Sequence, residues 1–270
     1  GYGNMQTNAS SGAMGASKTV VGYNAFNTAP SATDAPQVQD LDSMLNTKYS
    51  FSNFIEGYSN KMARIAGETI AQNPGSTSFN PLFIHGSSGV GKTHLLNAIC
   101  HSIEQQNPNA NIIYTRGEDF TNELIRYISS KSTNEFHQKY RNADILLVDD
   151  IQFIAGKEST QEEFFHTFNN IYEAGHQIVI TSDRPPVEMT TLDDRLRTRF
   201  EGGLIADVQP PDLETRIAIL RKRAQIEMLN SLGLLKEQGL DVSLLSGVGI
   251  LVAMLLGMLV IYLATFEKEL

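Results

Sequence analysis

The chain has 270 residues, 41% of them hydrophobic and 19% charged, with one cysteine and a formal net charge of −9. That length holds one or two domains, and the single thiol excludes a disulfide framework. The acidic balance argues against a free-standing reader of duplex DNA, whose grip would come from a basic face neutralising phosphates.

Residues 1–44 are mainly Ser, Thr, Asn, Ala and Gly, with few charges. They bury too little apolar surface to offset ordering entropy and are read as a disordered linker, despite Tyr23 and Phe26. No basic stretch followed by an apolar one comes after Gly1, so no secretory leader is expected and the sequence reads as starting inside a longer chain. At Asn60 a helix begins, with Met62, Ile65, Ala66, Thr69 and Ile70 on one face and Asn73-Pro74-Gly75 as its stop. Pro81-Leu82-Phe83-Ile84-His85 is a short apolar run of strand type, followed by a Gly-rich loop and a helix from Lys92 through Ile103. Cys100 falls in that helix beside Leu95, Leu96 and Ile99, a setting for a buried, inert thiol.

A second strand runs from Asn111 to Thr115, then helices are marked by Phe120, Leu124 and Ile128 and by Phe136 to Tyr140. Ile145-Leu146-Leu147-Val148 is a third strand, continuously apolar as one covered on both faces must be. The stripe Phe164, Phe165, Phe168, Ile171 and Tyr172 predicts a helix ending at Gly175, and Gln177 to Thr181 a fourth strand. Leu192 to Phe200 is helical, Leu204 to Val208 a fifth strand, and after Pro210-Pro211 a helix runs from Asp212 to Ala224. Strands alternating with helices predict an α/β domain with a doubly wound parallel sheet.

Four clusters carry chemistry. Gly86-Ser87-Ser88-Gly89-Val90-Gly91-Lys92-Thr93 fits G-x-x-x-x-G-K-[ST] and stands between a strand and a helix. Its glycines let backbone N–H groups turn toward phosphates, the helix N-terminus adds a favourable field, Lys92 reaches the β- and γ-phosphates, and Thr93 ligates Mg2+. Asp149 and Asp150 end the third strand, at the sheet edge where ligands sit; Asp149 is assigned to Mg2+ and Asp150 to the attacking water. Thr181-Ser182-Asp183 ends the fourth strand, where a polar group either senses the γ-phosphate or caps the loop. Asp194-Arg195-Leu196-Arg197-Thr198-Arg199-Phe200 is a basic cluster, either a solvated face or the source of an arginine finger, which acting in trans implies a homo-oligomer. The six histidines have no metal-ligand spacing, and no zinc is expected.

Beyond the P-loop, further stretches are specific. They are Leu45-Asn46-Thr47-Lys48-Tyr49-Ser50-Phe51 with Gly57 and Asn60, Gly91-Lys92-Thr93-His94-Leu95-Leu96-Asn97-Ala98, and Asp149-Asp150-Ile151-Gln152-Phe153. Gln161-Glu162-Glu163-Phe164-Phe165-His166, Thr181-Ser182-Asp183-Arg184 and the run from Arg199-Phe200-Glu201-Gly202-Gly203-Leu204 to Glu214-Thr215-Arg216 belong with them. With these, residues 45–227 resemble the AAA+ domain of DnaA, the bacterial chromosomal replication initiator. The resemblance implies a P-loop NTPase (AAA+) fold that binds ATP and Mg2+, with His94 beside the nucleotide and Ile55, Gly57 and Asn60 in the adenine pocket. It implies Asp183 as sensor 1, Arg199 as the arginine finger, self-association into a filament, and action on origin DNA with other replication proteins. It also implies single-stranded DNA contacts at Thr121 and Lys157, and a cytoplasmic location. A helicase loader of related fold fits less well, because residues 45–51 and 200–215 follow the initiator pattern.

After Ile226 that pattern stops, where a helical lid with its sensor 2 arginine and a duplex-reading helix-turn-helix would follow; hydrolysis is therefore left open. Residues 228–241 read as a connector. Residues 242–266 form an uncharged apolar run that Glu267 ends, about 37 Å long as a helix against roughly 30 Å of bilayer hydrocarbon, and are expected to span a membrane. The tail resembles the N-terminus of small sodium-pump decarboxylase subunits. Two readings stand: a fused foreign segment starting at Met228, which the abrupt switch favours, or a membrane-tethered ATPase. A non-productive protein that co-assembles with a full-length initiator is the alternative function.

Overall fold

The computed structural model describes residues 49–76 and 78–237, the strand pair Thr19–Val20 and Gln39–Asp40, and Leu255 and Met258. These fall into two units: one holds the described residues up to Phe54 together with Asn60–Pro210, and the other holds Ile55–Ser59 and the described residues from Pro211 onward.

In the first unit, five strands form one parallel sheet: β1 (Leu82–His85), β2 (Ile112–Arg116), β3 (Ile145–Asp149), β4 (Gln177–Ser182) and β5 (Leu204–Asp207). Their order is β2-β3-β4-β1-β5. All neighbours run parallel, in registers such as Leu82↔Val179, Leu82↔Leu204, Ile112↔Ile145 and Ile145↔Gln177. The helix α1 (Lys61–Gln72) precedes β1; parallel strands need crossovers, and α2 (Lys92–Gln106), α3 (Gly117–Ser129), α4 (Thr133–Arg141), α5 (Glu158–Glu173) and α6 (Asp194–Glu201) supply them.

Period-two alternation of the strands divides the core in two. Leu82, Ile84, Ile112, Tyr114, Ile145, Leu147 and Val179 share one layer with Ile70 of α1 and Leu95, Leu96, Ile99 and Cys100 of α2. Phe83, Ile113, Leu146, Val148, Ile178 and Ile180 face the other layer, with Phe120, Phe136, Tyr140, Phe164, Phe168 and Phe200 from α3 to α6. The sheet is thus covered on both faces, and Cys100 is buried.

The helix beginning at Asn60 turns a different face inward than the sequence suggests. Ala63, Ala66, Gly67, Ile70 and Ala71 are buried, whereas Met62 and Ile65 are 61% and 45% exposed. Small residues win because α1 lies close on α2: a methyl at Gly67 would sit 3.0 Å from the Ile99 side chain.

The second unit contains α7, Leu213–Glu237. It outruns the expected end at Ala224 and passes Met228 without a break, as its Gln, Met, Leu, Lys and Glu content favours. Among the described residues no helix is long and apolar enough to cross a membrane. Apart from Leu255 and Met258, the segment 242–266 lies outside the described residues, as does 1–48 apart from the short strand pair, where Thr19 faces Asp40.

Candidate nucleotide site

Register brings the chemistry to one edge of the sheet. His85 pairs with Ser182 and Arg116 with Asp149, so the carboxyl ends of β1, β3 and β4 open side by side. The Gly86–Thr93 loop leaves β1 there; Ser87, Ser88 and Gly89 are exposed, Val90 packs on the core, and Gly91 is the N-cap residue of α2 with φ 107°. A left-handed φ at a residue whose N–H must stay open explains glycine at position 91. Lys92 is only 7% exposed and its Nζ donates to the carbonyls of Gly86 at 2.8 Å and Ser87 at 3.0 Å. An ammonium has three N–H donors, so one remains to meet a phosphate oxygen.

Thr93 and Asp149 meet directly: Thr93 Oγ1 donates to Asp149 Oδ2 at 2.8 Å. Asp149 is 2% exposed and accepts two further bonds, from Tyr114 Oη at 3.0 Å and from Thr181 Oγ1 at 2.5 Å. Burial, and then the Asp149 charge, push the Tyr114 hydroxyl well above the usual phenol range, so it stays a donor. A hydroxyl and a carboxylate side by side are the hard oxygen donors that Mg2+ takes, and the pair fits that ion.

Asp150 sits in the left-handed region at φ 54°, ψ 55°. Its backbone N–H donates to Thr181 Oγ1 at 3.0 Å, and its Oδ1 accepts from Gln152 Nε2 at 3.1 Å. Asp tolerates this left-handed region better than most residues, and the two hydrogen bonds hold it there. Asp183 lies at the end of β4, its carboxylate clamped by Arg184 through bonds of 2.9 and 2.8 Å. That hydrogen bonding, joined by the charges of Arg184 and Lys92, holds the Asp183 carboxyl below the usual carboxylate range against the effect of burial.

His94 stands against Tyr49 and Phe54, ring centroids 4.9 and 5.2 Å away, with Nε2 3.0 Å from the Ser50 carbonyl. Asn60 is buried and its carbonyl starts α1 by accepting from Arg64 N–H. Ile55 and Gly57 belong to the second unit, where a methyl at Gly57 would overlap the Thr215 side chain. Arg199 lies near the end of α6, its guanidinium 5.7 Å from the centre of the Tyr172 ring; among the described residues no hydrogen bond or ion pair joins it to the P-loop. Arg195 and Arg197, by contrast, pair with Asp193 and Asp194 on their own helix end. Thr121 and Lys157 come together: Lys157 Nζ is 3.4 Å from the Thr121 hydroxyl, which donates to the Gly117 carbonyl, and Thr121 is buried while Lys157 is exposed.

Sequence reasoning missed Tyr114 and Gln152. Tyr114 left a signal, a phenol two residues before the end of a strand that parallels the Asp149 strand. Gln152 stood in the Asp149-Asp150-Ile151-Gln152-Phe153 stretch without a role of its own.

Residues 45–207 match the bacterial DnaA ATPase domain family. Domain III of the Thermotoga maritima replication initiation protein DnaA is 45% identical, with a TM-score of 0.66 over 68% of this chain and 76% of that one. A replication initiator DnaA bound to AMPPCP and single-stranded DNA is 38% identical with a TM-score of 0.63, over 73% of this chain and 57% of that one. AMPPCP-bound DnaA from Aquifex aeolicus is 40% identical with a TM-score of 0.63, over 67% of this chain and 55% of that one. This chain therefore spans little more than half the length of the two AMPPCP-bound proteins. With the P-loop, the Thr93–Asp149 pair and the five-stranded parallel sheet agreeing with that match, the chain belongs to the bacterial DnaA ATPase domain family.

Proposed function

We propose that this chain binds ATP with Mg2+ at the P-loop, assembles with further copies, and acts through that assembly in the initiation of chromosomal DNA replication. The observation that carries the reading is the Thr93–Asp149 hydrogen bond at the mouth of the P-loop, with Lys92 buried beside it. The AMPPCP bound in two similar DnaA structures supports the nucleotide.

Lys92 is assigned to the β- and γ-phosphates, with the N–H groups of residues 86–93 lining the cradle. Thr93 and Asp149 would hold Mg2+, which when bound neutralises charge on the phosphates. Asp150 orients and polarises the attacking water, and Asp183 faces the γ-phosphate once released from Arg184. Arg199 is assigned to the site of a neighbouring copy, where an arginine stabilises the charge of the transferring phosphoryl group. Exposed Lys157 is assigned to single-stranded DNA, which the similar AMPPCP-bound initiator binds, with buried Thr121 behind it as the partner of its ammonium.

Titration with a fluorescent ATP analogue tests the phosphate assignment. Lys92→Ala removes a charge-assisted contact and weakens binding about 10- to 100-fold. Undiminished affinity would remove Lys92 from the site, and with it the reading of the loop.

A further inference from the structure

Gln152 lies on the 3₁₀ turn Ile151–Ile154 that follows β3, between the buried side chains of Ile151 and Ile154. Neither phosphate nor Mg2+ chemistry asks for a glutamine there, yet both ends of its amide are engaged. Nε2 donates to Asp150 Oδ1 at 3.1 Å, and Oε1 accepts from the Asp183 backbone N–H at 3.3 Å. A primary amide carries donor and acceptor on one planar group, so movement of one partner turns the face offered to the other. The two partners lie at the ends of adjacent strands, β3 and β4, and Asp150 is the residue held in a left-handed backbone.

We propose that Gln152 is a positioning residue that links the Asp183 backbone to the Asp150 carboxylate, so that a shift of Asp183 is passed to the group aimed at the attacking water. The proposal rests on the reading of Asp150 and Asp183 as ATPase residues. Asp183 is clamped by Arg184, and its release toward a γ-phosphate would turn the adjoining peptide and, through the amide, Asp150. Water would then be aligned only when a third phosphate is in place.

The link is tested first without hydrolysis, on the full chain, by following the Asp183 backbone amide resonance. Asp150→Asn tolerates the left-handed backbone but weakens the bond from Gln152. It shifts the Asp183 resonance in the otherwise native chain and leaves it unmoved in a Gln152→Leu background. An equal shift in both backgrounds overturns the link. Kinetics give the second arm. Gln152→Glu keeps an acceptor for the Asp183 N–H but sets a carboxylate against Asp150; kcat falls about 10-fold or more with the ATP Kd unchanged. Native kcat in Gln152→Glu, or a loss confined to Kd, overturns the positioning role. If Asp150→Asn hydrolyses ATP at the native rate, the assignment of Asp150 fails instead, and the resonance experiment still decides whether Gln152 joins the two strands.

Discussion

The His94 ring hydrogen-bonds through Nε2 to a carbonyl, which can only accept, so the proton sits on that nitrogen. Burial between Tyr49 and Phe54 disfavours the imidazolium and lowers the pKa, and the Ser50 hydrogen bond offsets part of that. The folded chain therefore binds this proton less tightly than the unfolded one, whose histidine titrates near 6.5. The stabilisation is complete above that value and is lost as pH falls through the lower, folded pKa. Two measurements check this: the ring resonances titrate with a midpoint below 6.5, and the urea midpoint falls on acidification from neutral pH. His94→Gln flattens the second dependence, and an unchanged slope in that variant would assign the acid sensitivity elsewhere. A neutral ring next to Thr93 also leaves Lys92 as the nearest P-loop cation, which keeps the positive charge of the loop on one side chain.

Helix α4 is fastened to α3 by charge as well as by aromatic packing. Glu123, 2% exposed, accepts from Lys139 Nζ at 2.6 and 2.8 Å and from Tyr140 Oη at 2.6 Å. The Lys139 pKa is lowered by burial, with the Glu123 charge opposing, so the lysine depends on its partner to stay charged. Glu123→Ala strands that ammonium and is expected to cost about 3–5 kcal/mol in urea unfolding. Adding Lys139→Met returns much of the loss, because an apolar pair of similar volume is tolerated where an unpaired charge is not. A cost below the usual surface range, about 0.5 kcal/mol, would show the pair to be solvated. None of this was legible in the sequence, because nothing local ties Glu123 to a lysine and a tyrosine on another helix. What was legible obeyed local periodicity. The stripe from Phe164 to Tyr172 gave α5, although Tyr172 is exposed and lies under Arg199 instead of in the core. The continuous apolar run 145–148 gave a strand buried on both faces. The placement of α1 escaped because close helix approach favours alanine and glycine, which hydrophobic periodicity ranks below Met62 and Ile65.

Strand order is set by long-range pairing, and nothing local states that β4 inserts between β1 and β3. The motifs nonetheless name strand ends, and in a parallel sheet all such ends share an edge. Arg199 is the group that a single copy leaves away from its own P-loop contacts, and its test belongs to the assembly. Copies carrying Arg199→Ala keep an intact pocket, and copies carrying Asp150→Asn keep an intact arginine. Each alone hydrolyses little ATP, and mixing them restores activity, if the arginine acts across copies. A silent mixture with both variants binding ATP normally would place Arg199 outside catalysis.

The second unit is discontinuous: residues 55–59 join it, and the chain does not return to it until Pro211. Gly57 lies against Thr215, itself set by the bond from its N–H to Asp212 Oδ1 and 6% exposed. On the ribosome, the pentapeptide leaves the exit tunnel long before its partner exists, so this unit closes only after the whole sheet has been synthesised. Fragments that stop near residue 210 leave the pentapeptide without that partner, and a useful expression boundary must lie beyond Thr215 even though the family match ends at 207.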